Sequence, residues 1–193
     1  PIRYAVVGLG SGALANYARA GDVVRVYEIN PLVEKLARTL FVALPTCEGK
    51  VEVVLGDARL SLEREAPQAY DLIAVDAFSS DSIPVHLLTR EAFAQYRRHL
   101  APGGVVAVHI SNRYLDLEPV LLAEAREGGW QVREVTNDAV PEGGAFSSDW
   151  VLMVRDGELL LHATLSKVAL PLDGKRSIPP WTDDFSNLYT ILR

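Results

Sequence analysis

Four carboxylates and one run of alternating glycines carry the chemistry this sequence can offer. The run is Gly8-Leu9-Gly10-Ser11-Gly12, and the acids are Glu28, Asp57, Asp76 and Asp81. Gly8, Gly10 and Gly12 let the backbone turn tightly and approach a ligand closely. A carboxylate at Glu28 can accept two hydrogen bonds from a ribose diol, so loop and acid together read as a nucleoside site. A solvated glutamate beside an ordinary strand–helix turn is the alternative. Asp57, in Gly56-Asp57-Ala58, can accept from an exocyclic adenine amine or cap a helix, and the two roles are compatible. Asp76 and Asp81 can hold an ammonium group between them. One of them can then remove its proton, which an amine needs before its lone pair can attack. For Asp81, capping of the next turn through Asp81-Ser82 stays open.

These residues share a position: each follows an apolar run that reads as a strand. Arg3–Val7 is the first strand and precedes the glycine loop, with a small-residue helix expected over 13–20. Val23–Glu28 is the second and ends on Glu28. Asn30-Pro31 then starts a helix, with Asn as cap and Pro at the first helical position. Leu32, Val33, Leu36, Ala37 and Leu40 fall at helical spacing on one face of it. Strands over 51–55 and 71–75 lead to Asp57 and Asp76. Thr89 caps a helix reaching about residue 100, Pro102-Gly103-Gly104 is a turn, and 105–110 is a fifth strand. A helix over 117–127 and strands over 131–135 and 150–155 complete the set. Such alternation predicts an α/β fold with a doubly wound, mostly parallel seven-stranded sheet. The last two strands lack a crossover helix, which predicts an antiparallel edge. In such sheets ligands bind at the carboxyl ends of the strands, where all four acids lie.

Composition narrows the classes. The chain has 193 residues, 49% of them hydrophobic and 23% charged, which suits one globular domain over 1–193. A single cysteine, Cys47, excludes a disulfide framework and a CxxC zinc site, and the four histidines lack metal-ligand spacing. With 19 Lys+Arg against 25 Asp+Glu, the net charge of −6 argues against nucleic acid as the main partner. No apolar run is long enough to span a membrane. The sequence opens at Pro1, directly on a core strand, so we expect an engineered boundary, a processed end or a fragment.

The nucleoside has two candidate types. Gly8 to Ala13 also satisfies the GxGxx(G/A) dinucleotide fingerprint, which keeps a nicotinamide dinucleotide open. Asp57 favours an S-adenosylmethionine (AdoMet) type of nucleoside, because the dinucleotide fingerprint requires no acid there. Four segments then resemble one family in order: the glycine loop, Tyr27-Glu28-Ile29-Asn30-Pro31, Gly56-Asp57-Ala58-Arg59, and residues 71–81. Together they resemble the spermidine synthase family of polyamine aminopropyltransferases, which has the class I AdoMet-dependent methyltransferase fold. His109-Ile110-Ser111-Asn112-Arg113-Tyr114-Leu115 and residues 181–187 resemble its divergent bacterial branch.

The resemblance implies that Gly8, Gly10, Gly12, Glu28, Asp57 and Ala58 bind decarboxylated AdoMet or AdoMet as co-substrate. Asp76, joined by Asp81, would bind and deprotonate an attacking amine such as putrescine. That amine displaces methylthioadenosine at the carbon next to the sulfonium, a leaving group good enough to need no metal. With intact AdoMet, methyl transfer would use the same geometry and release S-adenosylhomocysteine. The sequence also departs from the family. Ser11 stands where the family loop has an acid, the second acid lies five residues after Asp76 rather than three, and the N-terminal β-rich domain is not included. Aminopropyl transfer, small-molecule methyl transfer and a non-catalytic nucleoside- or polyamine-binding module are therefore all retained. The resemblance also implies a cytoplasmic protein without membrane contact of its own, with a homodimer as a possible assembly.

Overall fold

A computed structural model describes residues 1–77, 84–139, 147–172 and 174–193. The chain divides into two compact units, Pro1–Phe78 with Gln95–Gly104 and Ser79–Ala94 with Val105–Arg193.

The first unit is built on β1 (Arg3–Val7), β2 (Val23–Glu28), β3 (Lys50–Leu55) and β4 (Tyr70–Val75). They run parallel in the order β3-β2-β1-β4, with Val7 beside Tyr27 and Val75. Three helices connect them: α1 (Pro31–Leu40), α2 (Ala43–Thr46) and α3 (Ala58–Arg64). Period-2 alternation sorts the side chains to two faces. Tyr4, Val6, Val24 and Val26 pack with Ala15, Ala37 and Leu44 on one face. The opposite face carries Arg25, Tyr27 and Tyr70 around Glu65. There Arg25 bonds Glu65 Oε1 at 2.6 Å and the Tyr27 hydroxyl donates to Glu65 Oε2 at 2.8 Å.

The expected helix over 13–20 is instead a five-residue 3-10 turn, Ala13–Tyr17. Its first boundary, Gly12, is left-handed with no side-chain cap, and Ala18 is already extended. The Tyr4 hydroxyl donates to the Leu14 carbonyl at 2.9 Å and fixes the turn from below the sheet. Burial pushes Tyr4 up to about 12, so this donor keeps its proton.

Next come α4 (Arg90–His99) and β5 (Leu100–His109), each of which begins in one unit and continues in the other. The glycines expected as a turn before β5 lie inside that strand. A Cβ at Gly104 would sit 2.7 Å from the Tyr70 carbonyl oxygen, so close backbone approach, not chain reversal, is what demands glycine there.

The second unit adds α5 (Glu118–Gly128), β6 (Gln131–Asn137), β7 (Ser148–Val154), α6 (Leu165–Val168) and β8 (Ala169–Leu170). Its strand order is β5-β7-β6-β8, all antiparallel. The expected antiparallel pair is β6 with β7. The described residues thus hold eight strands where seven were expected. The extra one, β8, is two residues long, too short to show an alternating pattern. No helix among the described residues is long and apolar enough to cross a membrane.

Candidate nucleoside and amine site

Parallel pairing in register brings the carboxyl ends of β1 to β4 to one edge of the first unit. Three backbone hydrogen bonds stitch the residues just past those ends. Gly8 N–H donates to Tyr27 O, Gly56 N–H to Glu28 O, and Asp76 N–H to Val7 O, each at 2.9 Å. Gly8, Glu28, Gly56 and Asp76 therefore sit side by side, although they lie far apart in the sequence.

The glycine loop touches Asp76 through its backbone. Gly8 has φ +95°, and a Cβ built there would meet Ala77 Cα at 3.0 Å and the Asp76 carbonyl oxygen more closely still. Gly12 has φ +83°, and its Cβ would lie 2.8 Å from Leu44 Cγ, so its glycine serves packing on α2. Gly10 is different. It has φ +52° and open space where a Cβ would go, and it is exposed at the tip of the loop. Of the three glycines, this one leaves room above the backbone.

Glu28 is buried at 7% exposure. Its Oε2 accepts from Leu9 N–H at 2.9 Å and its Oε1 from Asn30 N–H at 2.8 Å. The carboxylate thus holds the glycine loop on one side and the start of α1 on the other. Each oxygen has a second lone pair, so a ribose diol can still be accepted. The role of Leu9 was not anticipated from sequence. The middle residue of a Gly-x-Gly run supplies its N–H whatever its side chain, and a buried acid ending the next strand is the signal that such a donor must exist.

Asp57 is the N-cap of α3, and its Oδ1 accepts from Leu60 N–H at 2.9 Å. The capping role open to it is therefore present. Ala58 is buried as the first residue of α3. Asp76 is half-buried at the end of β4. Asp81 lies outside the described residues.

The segments that resemble the bacterial branch lie in the second unit, and several of their side chains have structural partners. His109 stacks on Trp150 with centroids 4.9 Å apart. Ser111 Oγ accepts from Asp149 N–H at 2.7 Å, and Asn112 Oδ1 accepts from the N–H groups of Tyr114 and Leu115. Thr89 caps α4 as expected, accepting from Ala92 N–H and donating to Asp183 Oδ1 at 2.7 Å. The Asp183 N–H donates to Glu91, so the Thr182 to Phe185 turn braces the first turn of α4. Among the described residues, no group of three or more His, Cys, Asp or Glu could hold a metal ion.

No protein-family model matches the chain. A polyamine aminopropyltransferase of Vibrio vulnificus is 34% identical over 115 residues, which is 56% of this chain and 38% of that protein. The chain thus matches well under half the length of this curated relative. The solved structure of a spermidine synthase from Thermotoga maritima superposes with a TM-score of 0.62 at 13% identity, covering 95% of this chain and 63% of that one. Human methyltransferase-like protein 13, solved in complex with SAH, superposes with a TM-score of 0.64 at 20% identity, covering 86% and 78%. At those identities the structures speak for the fold. The chain has the α/β fold of class I AdoMet-dependent methyltransferases, and in sequence it resembles the spermidine synthase family of polyamine aminopropyltransferases.

Proposed function

We propose that this chain carries the nucleoside- and amine-binding region of a spermidine synthase-like transferase. It takes a nucleoside sulfonium, decarboxylated AdoMet, and passes its aminopropyl group to a small amine such as putrescine. The observation that carries this reading is the direct approach of Gly8 to the Asp76 backbone. It sets the loop that would cradle the nucleoside beside the acid that would receive the amine.

Each residue then has a defined task. Gly10 leaves the loop tip open to the ligand. Glu28, held by two backbone N–H groups, receives the ribose hydroxyls on its remaining lone pairs. Asp57 caps α3 and receives the adenine amine, with Ala58 beside it as the first residue of that helix. Asp76 binds the ammonium group of the acceptor and takes one proton. The freed nitrogen lone pair attacks the carbon next to the sulfonium, the C–S bond breaks, and its electron pair leaves on sulfur as methylthioadenosine. Alignment of nitrogen and carbon, with removal of that one proton, supplies the rate. Asp81 would be the second carboxylate for the amine.

A second reading is methyl transfer from intact AdoMet. It is favoured by Ser11 in the loop and by the fold shared with human methyltransferase-like protein 13. Calorimetric titration with decarboxylated AdoMet, AdoMet and methylthioadenosine separates the two. Tighter binding of the decarboxylated form, with methylthioadenosine released when putrescine is added, is the expected result. Preference for AdoMet with release of S-adenosylhomocysteine would move the assignment to methyl transfer. Binding without any turnover would leave a nucleoside-binding module. Asp76→Asn should abolish turnover and spare nucleoside affinity; full activity in that variant would remove Asp76 from the mechanism.

A further inference from the structure

One buried titratable group in the first unit has no part in the chemistry above. His99, the last residue of α4, is fully buried. Its Nε2 lies 2.8 Å from the Leu62 carbonyl oxygen of α3. A carbonyl can only accept, so in the neutral ring Nε2 carries the hydrogen toward the shorter of its two contacts, the Leu62 carbonyl, and Nδ1 is the bare nitrogen. The Arg98 guanidinium beside Nε2, itself only a donor, then meets an N–H and makes no hydrogen bond to the ring. Nδ1 is buried with no hydrogen-bond partner among the described residues. The neighbouring Arg98 guanidinium donates to the carbonyls of Leu62, Glu63 and Glu65. These are carbonyls at the C-terminal end of α3, which the helix itself leaves unsatisfied. Two consecutive residues of α4 therefore cap a helix remote in sequence.

We propose that Arg98 and His99 form an acid-sensitive latch on the end of α3, closed while His99 is neutral and opened when it is protonated. Protonation would place an N–H on Nδ1 with no acceptor, in a buried site already holding a cation. The groups packed around the ring act in both directions, and the Leu62 carbonyl of α3, which accepts from Nε2, favours the charged ring. From α4, Arg98 opposes a second positive charge, with its guanidinium nitrogen 3.0 Å from Nε2. From β2, Arg25 opposes it as well, while Glu65, past the end of α3, favours it. From β4, Tyr70 stacks on the ring with centroids 6.2 Å apart, and the Arg3 guanidinium of β1 lies 5.6 Å from the centroid of that tyrosine. The Tyr27 hydroxyl of β2 shares Glu65 and so takes up part of its acceptor capacity.

Burial is the largest influence on His99 and holds it below its ordinary value of 6.5; the repulsion from Arg98 and Arg25 adds to it. The sign follows. The unfolded chain binds the proton more readily, so the latch contributes fully above pH 6.5 and is lost as pH falls from there toward the folded-state value.

The test is urea unfolding of the whole chain at pH 7.5 and pH 5.0, with His99→Gln alongside. Glutamine can donate to Leu62 O and does not titrate. Each pH unit in the sensitive window can raise the unfolding constant of the wild type by up to about tenfold through one proton. The expected result is a markedly steeper acid loss in the wild type than in H99Q. Equal pH dependence in both would overturn the latch. Should H99Q fail to fold, an NMR titration of the wild type decides. The His99 ring should titrate below 6.5, with the amides of Leu62 to Glu65 shifting in step. A ring that titrates at or above 6.5, or one that titrates without moving those amides, overturns it.

Discussion

At Gly8 an added methyl group has nowhere to go. The backbone is left-handed at φ +95°, and the Cβ would be driven into the Asp76 carbonyl. Gly8→Ala should cost about 2–4 kcal/mol in urea unfolding, from backbone strain and forced displacement together. Gly10→Ala meets no atom within 4 Å, so it should cost only about 1 kcal/mol for its positive φ. Equal losses in the two variants would mean that the approach to Asp76 does not set the requirement for glycine. The sequence motif makes no such distinction, because the three glycines look equivalent in Gly8-Leu9-Gly10-Ser11-Gly12. What separates them is the neighbour each one meets: Asp76 for Gly8, Leu44 for Gly12, and open space for Gly10. The acids were legible for a simpler reason. Each ends an apolar run, and a carboxylate there must be solvated, paired or used. Their partners were not legible, because Leu9 and Asn30 serve Glu28 through backbone N–H groups that no side chain advertises.

The element that ties binding to stability is α3. Asp57 caps its first turn through Oδ1, and the same carboxylate is the candidate for the adenine amine. Two substitutions separate these duties. Asp57→Ala removes the cap and should cost about 1 kcal/mol of stability. Asp57→Asn keeps an acceptor for Leu60 N–H and should stay within about 0.5 kcal/mol of the wild type, since Asn caps as well as Asp. Its second polar group is now an NH₂ donor, which cannot accept from an amine. Methylthioadenosine affinity should therefore fall in both variants, while stability falls only in the alanine variant. Unchanged affinity in Asp57→Asn would leave Asp57 as a cap alone. At this scale the sequence was informative wherever periodicity ran for a full element, as in β1, β2 and α1, whose Asn30 cap and Pro31 appear as read. It failed where tertiary contacts overrode local pattern. The 3-10 turn after the glycine loop is held by the Tyr4 hydroxyl of β1, and β5 runs through glycines that a local reading takes for a turn, with Gly104 in close approach to Tyr70.

Across the whole molecule, the described candidates Gly8, Gly10, Gly12, Glu28, Asp57, Ala58 and Asp76 all lie in the first unit. A nucleoside bound by them should reveal itself in where it protects the chain. The sensitive reporters are the amides that stitch the strand ends, those of Leu9, Asn30, Gly56 and Asp76. The internal controls are the paired strands β6 and β7 of the second unit, for example Val135 opposite Trp150. With methylthioadenosine at about a hundred times its dissociation constant, linkage stabilises the bound state by about 2.7 kcal/mol. Amides that exchange only through opening of the binding region should then slow by roughly a hundredfold. Hydrogen exchange with and without ligand reads this residue by residue. Slowing at the strand ends of the first unit, with smaller changes in β6 and β7, is the expected pattern. The reverse pattern would place the nucleoside elsewhere, because a ligand cannot protect amides it does not help to close. A uniform change across both units would instead mean that they open together, and the strand-end amides would then be read from the excess protection they retain at low ligand concentration.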